Sequence, residues 1–335
     1  MKPVAIVGAG PAGLAVAAAL AARRVSYVLI DSAGEPGGAY RMVHDDMTLV
    51  SPTEMSGLPG LSFETRGRYP TGHEVRAYLV RYAAHHRLVI DRAEVGNITR
   101  GLEITTDRGP ISARAVVVAS GMWRFPELPD IPGLPAATIH SSQYRGPTAE
   151  RTLIIGGGAS AVEIAEEIAR TGAAVTMSTR RPIRCAPAHV LGLDLHHLIS
   201  PLERVLPTWL APRHCAGTVT LPPTDHGFGR LRAAKLIELR PPVVRFDDGT
   251  AHFADGSTGI AERVIAATGF TFRTPFLPGD VARATGGHLR ARRGRSVSWP
   301  NLHVVGHPCS VDLASQFLRG IARDAHLVAE DLARA

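Results

Sequence analysis

The feature that most constrains this chain is a strand–glycine turn–helix–strand unit that occurs twice. Residues 3–8 (PVAIVG) have the apolar run of a buried parallel strand, residues 12–23 the small apolar residues of a helix, and residues 25–30 the pattern of a second strand. The same order returns at 152–156, 160–171 and 173–178, where Gly156 stands 148 residues after Gly8. Two βαβ units predict an α/β protein with two parallel sheets.

The first unit carries a G-x-G-x-x-G motif between its strand and its helix. Gly8 is expected to make the tight turn, Gly10 to admit a pyrophosphate at the helix N-terminus, and Gly13 to let the helix pack on the strand. Ala12 lies inside the same turn. Asp31, 23 residues after Gly8, can accept a hydrogen bond from a ribose hydroxyl. The unit predicts a dinucleotide site.

The second unit carries the related pattern G-x-G-x-x-A. Gly156 and Gly158 take the glycine positions, Ser160 begins the predicted helix, and Ala161 replaces the third glycine. A second dinucleotide is therefore expected.

The position that follows the second strand of this unit holds no acid. Thr179 stands where Asp31 stands in the first unit, and Arg180 and Arg181 follow it. A carboxylate would repel a 2′-phosphate, whereas guanidinium groups can bind one through two hydrogen bonds. The sequence favours NADPH over NADH, with solvated arginines as the alternative.

Composition excludes several other classes of protein. The net charge is +7, but Lys2 and Lys235 are the only lysines and no basic run is interleaved with aromatics, so nucleic acid is not expected. No run of 18 apolar residues predicts a membrane span. The cysteines at 185, 215 and 309 are far apart and form no C-x-x-C pair. We therefore expect three free thiols, no metal site and a cytoplasmic protein.

Residues 121–148, between the two βαβ units, are rich in proline and indicate a connector between domains. Further motifs are spread over nearly the whole chain and carry a family resemblance. The chain is similar to class B flavoprotein monooxygenases, the group of flavin-containing, YUCCA-type and Baeyer–Villiger monooxygenases. The resemblance rests on the two fingerprints, Gly37-Gly38-Ala39-Tyr40, Ala119-Ser120-Gly121, His140 with Tyr144, Ala267-Thr268-Gly269-Phe270, and Arg319-Gly320-Ile321-Ala322-Arg323-Asp324-Ala325.

The resemblance implies FAD in the first unit and NADPH in the second. It implies two Rossmann-like three-layer domains, with the NADPH domain inserted into a discontinuous FAD domain. The FAD domain would comprise 1–148 and 262–335, and the NADPH domain 149–261 with an apolar insertion around 186–212. Further cofactor contacts are expected at Gly37, Gly38, Tyr40, Val95, Ala119, Gly121, Thr268, Gly269 and Gly306.

Two catalytic candidates follow from the resemblance. Ser51 lies about where relatives place an oxygen-handling asparagine, and we expect its loop to cover the reactive side of the flavin. His140 is a candidate for seating the nicotinamide or shaping the domain hinge, with a purely structural histidine as the alternative. The F-x-G part of the family signature before His140 is missing, as is the aspartate expected after Gly306, where His307 stands.

Together these features predict an FAD- and NADPH-dependent monooxygenase that uses O2 on a small organic molecule, by N- or S-oxygenation or a Baeyer–Villiger reaction. The alternative is an NADPH:acceptor oxidoreductase that reduces a small molecule or a partner protein without inserting oxygen. A flavin-binding sensor or scaffold is a third reading. The sequence is compatible with a homo-oligomer. The apolar segment 186–212 is open to interpretation as a lid, as core or as a partner surface.

Overall fold

The computed structural model describes residues 2–215 and 224–334. Within these ranges no helix is both long enough and apolar enough to cross a membrane. The described chain forms one mostly parallel and one fully parallel sheet, each covered on one face by helices and on the other by a small antiparallel sheet. The predicted pair of three-layer Rossmann-like units is confirmed.

The first sheet has seven strands, with the first fingerprint strand near its centre. Val4–Val7 is fully buried and pairs in parallel with Tyr27–Asp31 on one side and Ala115–Val118 on the other. Leu302–Val304 extends the sheet in parallel from Ala115–Val118. The order across the sheet is Ala291–Arg292, Arg295–Ser296, Leu302–Val304, Ala115–Val118, Val4–Val7, Tyr27–Asp31, Asp91–Arg92.

Three helices cover one face of this sheet and an antiparallel sheet covers the other. The fingerprint helix Pro11–Ala22 packs against the C-terminal helix Leu318–Arg334, and its alanines allow a close approach. Gly72–His85 begins with a capping box between Thr71 and Glu74. The opposite layer is formed by Val95–Ile98, Glu103–Thr106 and Gly109–Ser112.

The second sheet repeats this arrangement with five parallel strands. Their order is Ile237–Arg240, Val175–Ser178, Thr152–Ile155, Arg263–Ala266, Ile139–His140. The second fingerprint helix Ala159–Arg170 and the short helix Phe228–Ala233 cover one face. The other face is covered by Val243–Asp247, Thr250–Phe253 and Thr258–Ile260.

The second sheet contains two strands from outside the predicted NADPH domain. Ile139–His140 and Arg263–Ala266 belong to the second sheet, although both lie outside 149–261. The chain enters and leaves the second unit through the proline-rich connector and the turn at Thr268. The limits at 149 and 261 stay a prediction.

The predicted insertion around 186–212 stands outside both sheets, and its last helix extends to Cys215; we call residues 186–215 the insertion from here on. It contains the short strands Ala186–Pro187, His189–Val190 and Leu193–Asp194, and the helices Leu195–Val205, Thr208–Leu210 (3-10) and Pro212–Cys215. The Asp194 carboxylate caps the helix Leu195–Val205 by accepting from His196 N. Leu191 and Trp209 are 98% and 73% exposed, so these two side chains line no interior tunnel.

Three further short 3-10 helices lie at Gly38–Arg41, Thr53–Met55 and Ser141–Gln143. Thr224–Asp225 pairs with Ala186–Pro187.

Candidate functional site

The first fingerprint forms a turn that side chains larger than hydrogen would block. Gly8 has φ +108°, and a Cβ there would lie 2.5 Å from the Ala119 carbonyl oxygen. A Cβ on Gly13 would lie 1.8 Å from the Gly8 oxygen. Gly10 is the N-cap of the helix Pro11–Ala22, and no described side chain caps that end. The backbone N–H groups in the first turn of this helix are therefore available to an anionic pyrophosphate.

A second glycine loop closes over this turn. Gly37 and Gly38 have positive φ, and the Gly37 amide donates to the Ala9 carbonyl at 3.0 Å. A Cβ on Gly38 would lie 2.8 Å from Gly10 Cα. Tyr40 follows in the same turn, and burial raises its pKa to about 12, so its hydroxyl stays protonated. Gly10 and Gly38 thus form a glycine cradle at the helix N-terminus, where we expect the phosphate end of FAD.

Asp31 lies at the edge of this cradle. It ends the strand Tyr27–Asp31, and its carboxylate accepts from the amides of Ala9 and Ala33 at 2.9 and 3.0 Å. The Arg41 guanidinium lies 3.3 Å away. Asp31 thus stands directly beside the fingerprint turn, which is the position that a ribose acceptor requires.

The remaining residues predicted for FAD are distributed around the same end of the sheet. Ala119 faces Gly8, and a Cβ on Gly306 would lie 3.0 Å from the Ala12 Cβ. Gly121 has φ +73° and no neighbour within 4 Å of the position of a Cβ. Val95 is half-buried on the antiparallel layer, two residues after Ala93, whose amide donates to the Asp31 carbonyl. The cofactor roles of Val95 and Gly121 stay predictions.

The second fingerprint repeats the geometry of the first. Gly156 has φ +144°, and a Cβ there would lie 2.3 Å from the Ala267 carbonyl oxygen. Gly158 is the N-cap of Ala159–Arg170, again without a side-chain cap among the described residues. Ser160 is exposed in the first turn, and Ala161 is buried beneath it. A second uncapped helix N-terminus is therefore ready for a phosphate group.

The two arginines predicted to select NADPH follow the strand Val175–Ser178 and are exposed to solvent. Thr179 follows Val175–Ser178, and its hydroxyl donates to the Arg181 carbonyl at 2.9 Å. Arg180 and Arg181 are exposed, and neither forms an ion pair with a described carboxylate. Their guanidinium groups are available to a 2′-phosphate.

His140 is engaged at both ring nitrogens. It is 1% exposed, and its Nε2 donates to the Gly269 carbonyl at 2.9 Å. Its Nδ1 accepts from the Ser142 amide at 3.1 Å, which fixes the neutral tautomer. Burial lowers its pKa, against the smaller opposing effect of the Gly269 hydrogen bond. The side chain therefore fixes the crossover turn, where Thr268 Oγ1 also donates to the Glu127 carbonyl. A role in seating the nicotinamide stays a prediction.

Ser51 is 8% exposed and belongs to a buried polar contact that the sequence did not reveal. Arg319 Nη1 donates to its hydroxyl at 3.1 Å. The same guanidinium makes two hydrogen bonds to Glu203 in the insertion, at 2.8 and 2.6 Å. The sequence points to Arg319 only through the C-terminal motif and gives no indication of its pairing with Glu203, because the two residues lie 116 positions apart.

The expectation of three free thiols is wrong. Cys215 and Cys309 form a disulfide across 94 residues, with their Cα atoms 5.2 Å apart. No spacing rule reveals such a pair, because only the fold brings the insertion to the turn after the last strand. Cys185 is free and half-buried, and burial, followed by the charges of Asp225 and Glu166, raises its pKa to about 11.

Two Rossmann-like sheets, each with an uncapped glycine fingerprint, define a two-dinucleotide oxidoreductase. Residues 5–191, more than half of the chain, match the family model described as pyridine nucleotide-disulphide oxidoreductase, and the chain belongs to that family.

Individual relatives narrow this assignment. The chain is 29% identical to indole-3-pyruvate monooxygenase YUCCA1 of Oryza sativa subsp. japonica, over 98% of this chain and 90% of the relative. It superposes on a flavin-containing monooxygenase from Stenotrophomonas maltophilia with a TM-score of 0.80 and 27% identity, covering 100% and 99% of the two chains. The predicted FAD- and NADPH-dependent monooxygenase of the class B group is confirmed.

The fold alone does not distinguish the reactions within this family. The bacillithiol disulfide reductase of Bacillus cereus shares it with a TM-score of 0.75 at 20% identity, covering 99% of both chains. The same two-sheet scaffold therefore occurs in a protein named for disulfide reduction, and the chemistry depends on the side chains around the cofactors.

Proposed function

We propose that this enzyme oxygenates a small organic molecule at a carbonyl, nitrogen or sulfur atom, with NADPH as the electron donor and O2 as the oxygen source. The observation that carries the proposal is the pair of preformed glycine cradles in a chain that is similar over its whole length to monooxygenases. FAD, when bound at the first cradle, supplies hydride acceptance and oxygen activation.

Each cradle has a defined task in this proposal. The helix N-terminus at Gly10 holds the pyrophosphate of FAD, and Asp31 accepts from its ribose. The N-terminus at Gly158 holds the pyrophosphate of NADPH, and Arg180 with Arg181 binds the 2′-phosphate. This assignment supports the division into an FAD domain (1–148 and 262–335) and an NADPH domain (149–261).

Ser51 is our candidate for the oxygen-handling position. Because Arg319 donates to the Ser51 hydroxyl oxygen, the serine keeps its own proton for donation to another group. A buried donor of this kind can stabilise developing negative charge when water is excluded. Pro52 follows and is the N-cap of the turn Thr53–Met55, which holds the loop in a fixed conformation.

A ketone is the first substrate to test. The rice relative YUCCA1 is named for indole-3-pyruvate, a 2-oxo acid with an aromatic side chain. We therefore propose 2-oxo acids of this kind before amines and sulfides. A cytoplasmic location stays our proposal, although the argument from free thiols no longer supports it.

The experiment that tests this proposal traces oxygen atoms from O2 into the product. The FAD-loaded enzyme is supplied with NADPH, ¹⁸O₂ and a panel of one aromatic 2-oxo acid, one tertiary amine and one thioether. We expect one labelled oxygen atom in the product for each NADPH consumed. If NADPH oxidation gives only hydrogen peroxide with every substrate, while an added acceptor is reduced without oxygen, the alternative NADPH:acceptor oxidoreductase is correct.

A further inference from the structure

The insertion is joined covalently to the flavin-binding end of the first sheet. Cys215 ends the helix Pro212–Cys215, and Cys309 lies in the turn that follows the strand Leu302–Val304. That turn begins at Gly306, which packs against Ala12 of the first fingerprint. The disulfide therefore connects the outermost segment of the second unit to the loop beside the FAD cradle.

Noncovalent contacts also hold the insertion to the segment that follows the last strand of the first sheet. Glu203 of the insertion binds the buried Arg319 through two hydrogen bonds, and the Glu203 carbonyl accepts from the Leu313 amide at 3.2 Å. His214, next to Cys215, lies 3.3 Å from the Leu313 carbonyl and 3.3 Å from the Gln316 side chain. Leu313 and Gln316 lie between the last strand and the C-terminal helix, and Arg319 lies in the first turn of that helix.

The insertion also covers the loop that carries Ser51. Tyr69 donates to the buried Asp194 carboxylate at 2.5 Å, and His197 lies 3.2 Å from Glu54. Arg319 completes the connection, because it binds Glu203 and Ser51 at the same time. The insertion is thus a strap across two loops of the first unit, held by several noncovalent contacts and one covalent bond.

We propose that Cys215–Cys309 is a reversible redox-modification site whose reduction by a dithiol releases this strap. One thiolate of the dithiol attacks a cystine sulfur, which breaks the S–S bond and forms a mixed disulfide. The second thiolate closes the dithiol into its own disulfide and expels the remaining protein thiolate. Two electrons and two protons pass to Cys215 and Cys309. Both residues are half-buried, so a small thiol can reach them.

The consequence of reduction is local. Without the covalent bond, the insertion is held to the first unit by noncovalent contacts alone, among them the buried Arg319–Glu203 pair and the exposed, weaker His197–Glu54 pair. The two sheets and their cores contain neither cysteine, so they keep their packing. This inference concerns the strap and does not depend on which substrate the enzyme oxygenates.

The first measurement is the number of thiols in the unreduced protein. Alkylation under denaturing conditions should modify one cysteine per chain, Cys185, and three after dithiothreitol. Peptide mapping should recover Cys215 and Cys309 in one linked fragment. Three thiols in protein purified under air would overturn the proposal.

The second measurement is proteolysis of the insertion. With dithiothreitol, we expect cleavage within 189–215 to accelerate by roughly tenfold, since cleavage follows the population of the open form. The Cys309→Ser and Cys215→Ser variants should be cleaved at the fast rate with or without the reductant. Cys185→Ser is the matched control and should behave as the wild type does. Equal cleavage of oxidised and reduced wild-type protein would refute the release of the strap, even if both serine variants failed to fold.

Discussion

Replacement of Arg180 and Arg181 by alanine should abolish the preference for NADPH. Both guanidinium groups are exposed and pair with no described carboxylate, so the substitution removes no structural contact that the fold depends on. A charge-assisted hydrogen bond contributes about 1.5–3 kcal/mol, and solvent exposure favours the lower end of that range. Two such contacts correspond to roughly a hundredfold loss in kcat/KM for NADPH.

The assay is steady-state oxidation of NADPH and of NADH by the same preparations at two salt concentrations. NADH should be used as well by the variant as by the wild type, because it has no 2′-phosphate. The loss for NADPH should shrink at high salt, which screens the interaction in the wild type. A variant with Arg108 and Arg292 replaced by alanine has the same change in net charge, on exposed residues of the first unit, and is the matched control. A wild-type enzyme that uses both nucleotides equally, or a control variant with the same loss, would refute the assignment.

Three further predictions test the first unit. Asp31→Ala should lower the FAD content after gel filtration by about tenfold, because it removes the ribose acceptor; unchanged FAD content would contradict the assignment. Ser51→Ala should leave flavin reduction by NADPH nearly unchanged and raise the fraction of O2 released as peroxide; a loss of thermal stability with normal coupling would instead indicate a structural serine. Burial raises the pKa of Asp324 to about 7, so the folded protein binds an extra proton between about pH 4 and 7 and its free energy of unfolding falls as pH rises. Denaturant unfolding of Asp324→Asn should lack this contribution, which amounts to at most about 4 kcal/mol; identical pH profiles would exclude it.

Local sequence patterns were sufficient to predict the strand–helix–strand elements that carry the two fingerprints. The strand expected at 3–8 is observed as Val4–Val7, and the helix expected at 12–23 as Pro11–Ala22. In the second unit, the helix expected at 160–171 is Ala159–Arg170. These elements are predictable because apolar runs and glycine turns act within a few residues.

Contacts between distant segments were not predictable in the same way. The disulfide and the pair of Glu203 with Arg319 join residues 94 and 116 positions apart, and no spacing rule covers such distances. His140 was recognised by its motif, but its neutral tautomer depends on Gly269, which lies 129 residues away. The addition of Ile139–His140 to the second sheet was also hidden, because two residues carry no periodicity.

The first glycine of each fingerprint is an unsuitable position for a variant that is meant to test nucleotide binding. Gly8 and Gly156 each face a carbonyl oxygen, that of Ala119 or Ala267, at distances that no Cβ could tolerate. These oxygens belong to the residues just after the neighbouring strands, so a side chain at either glycine would push two strands apart before any nucleotide arrived. Loss of binding in such a variant would report damaged sheet architecture. At Gly10 a Cβ would meet nothing closer than 3.6 Å, so we expect a substitution there to obstruct the ligand and to spare the apoprotein.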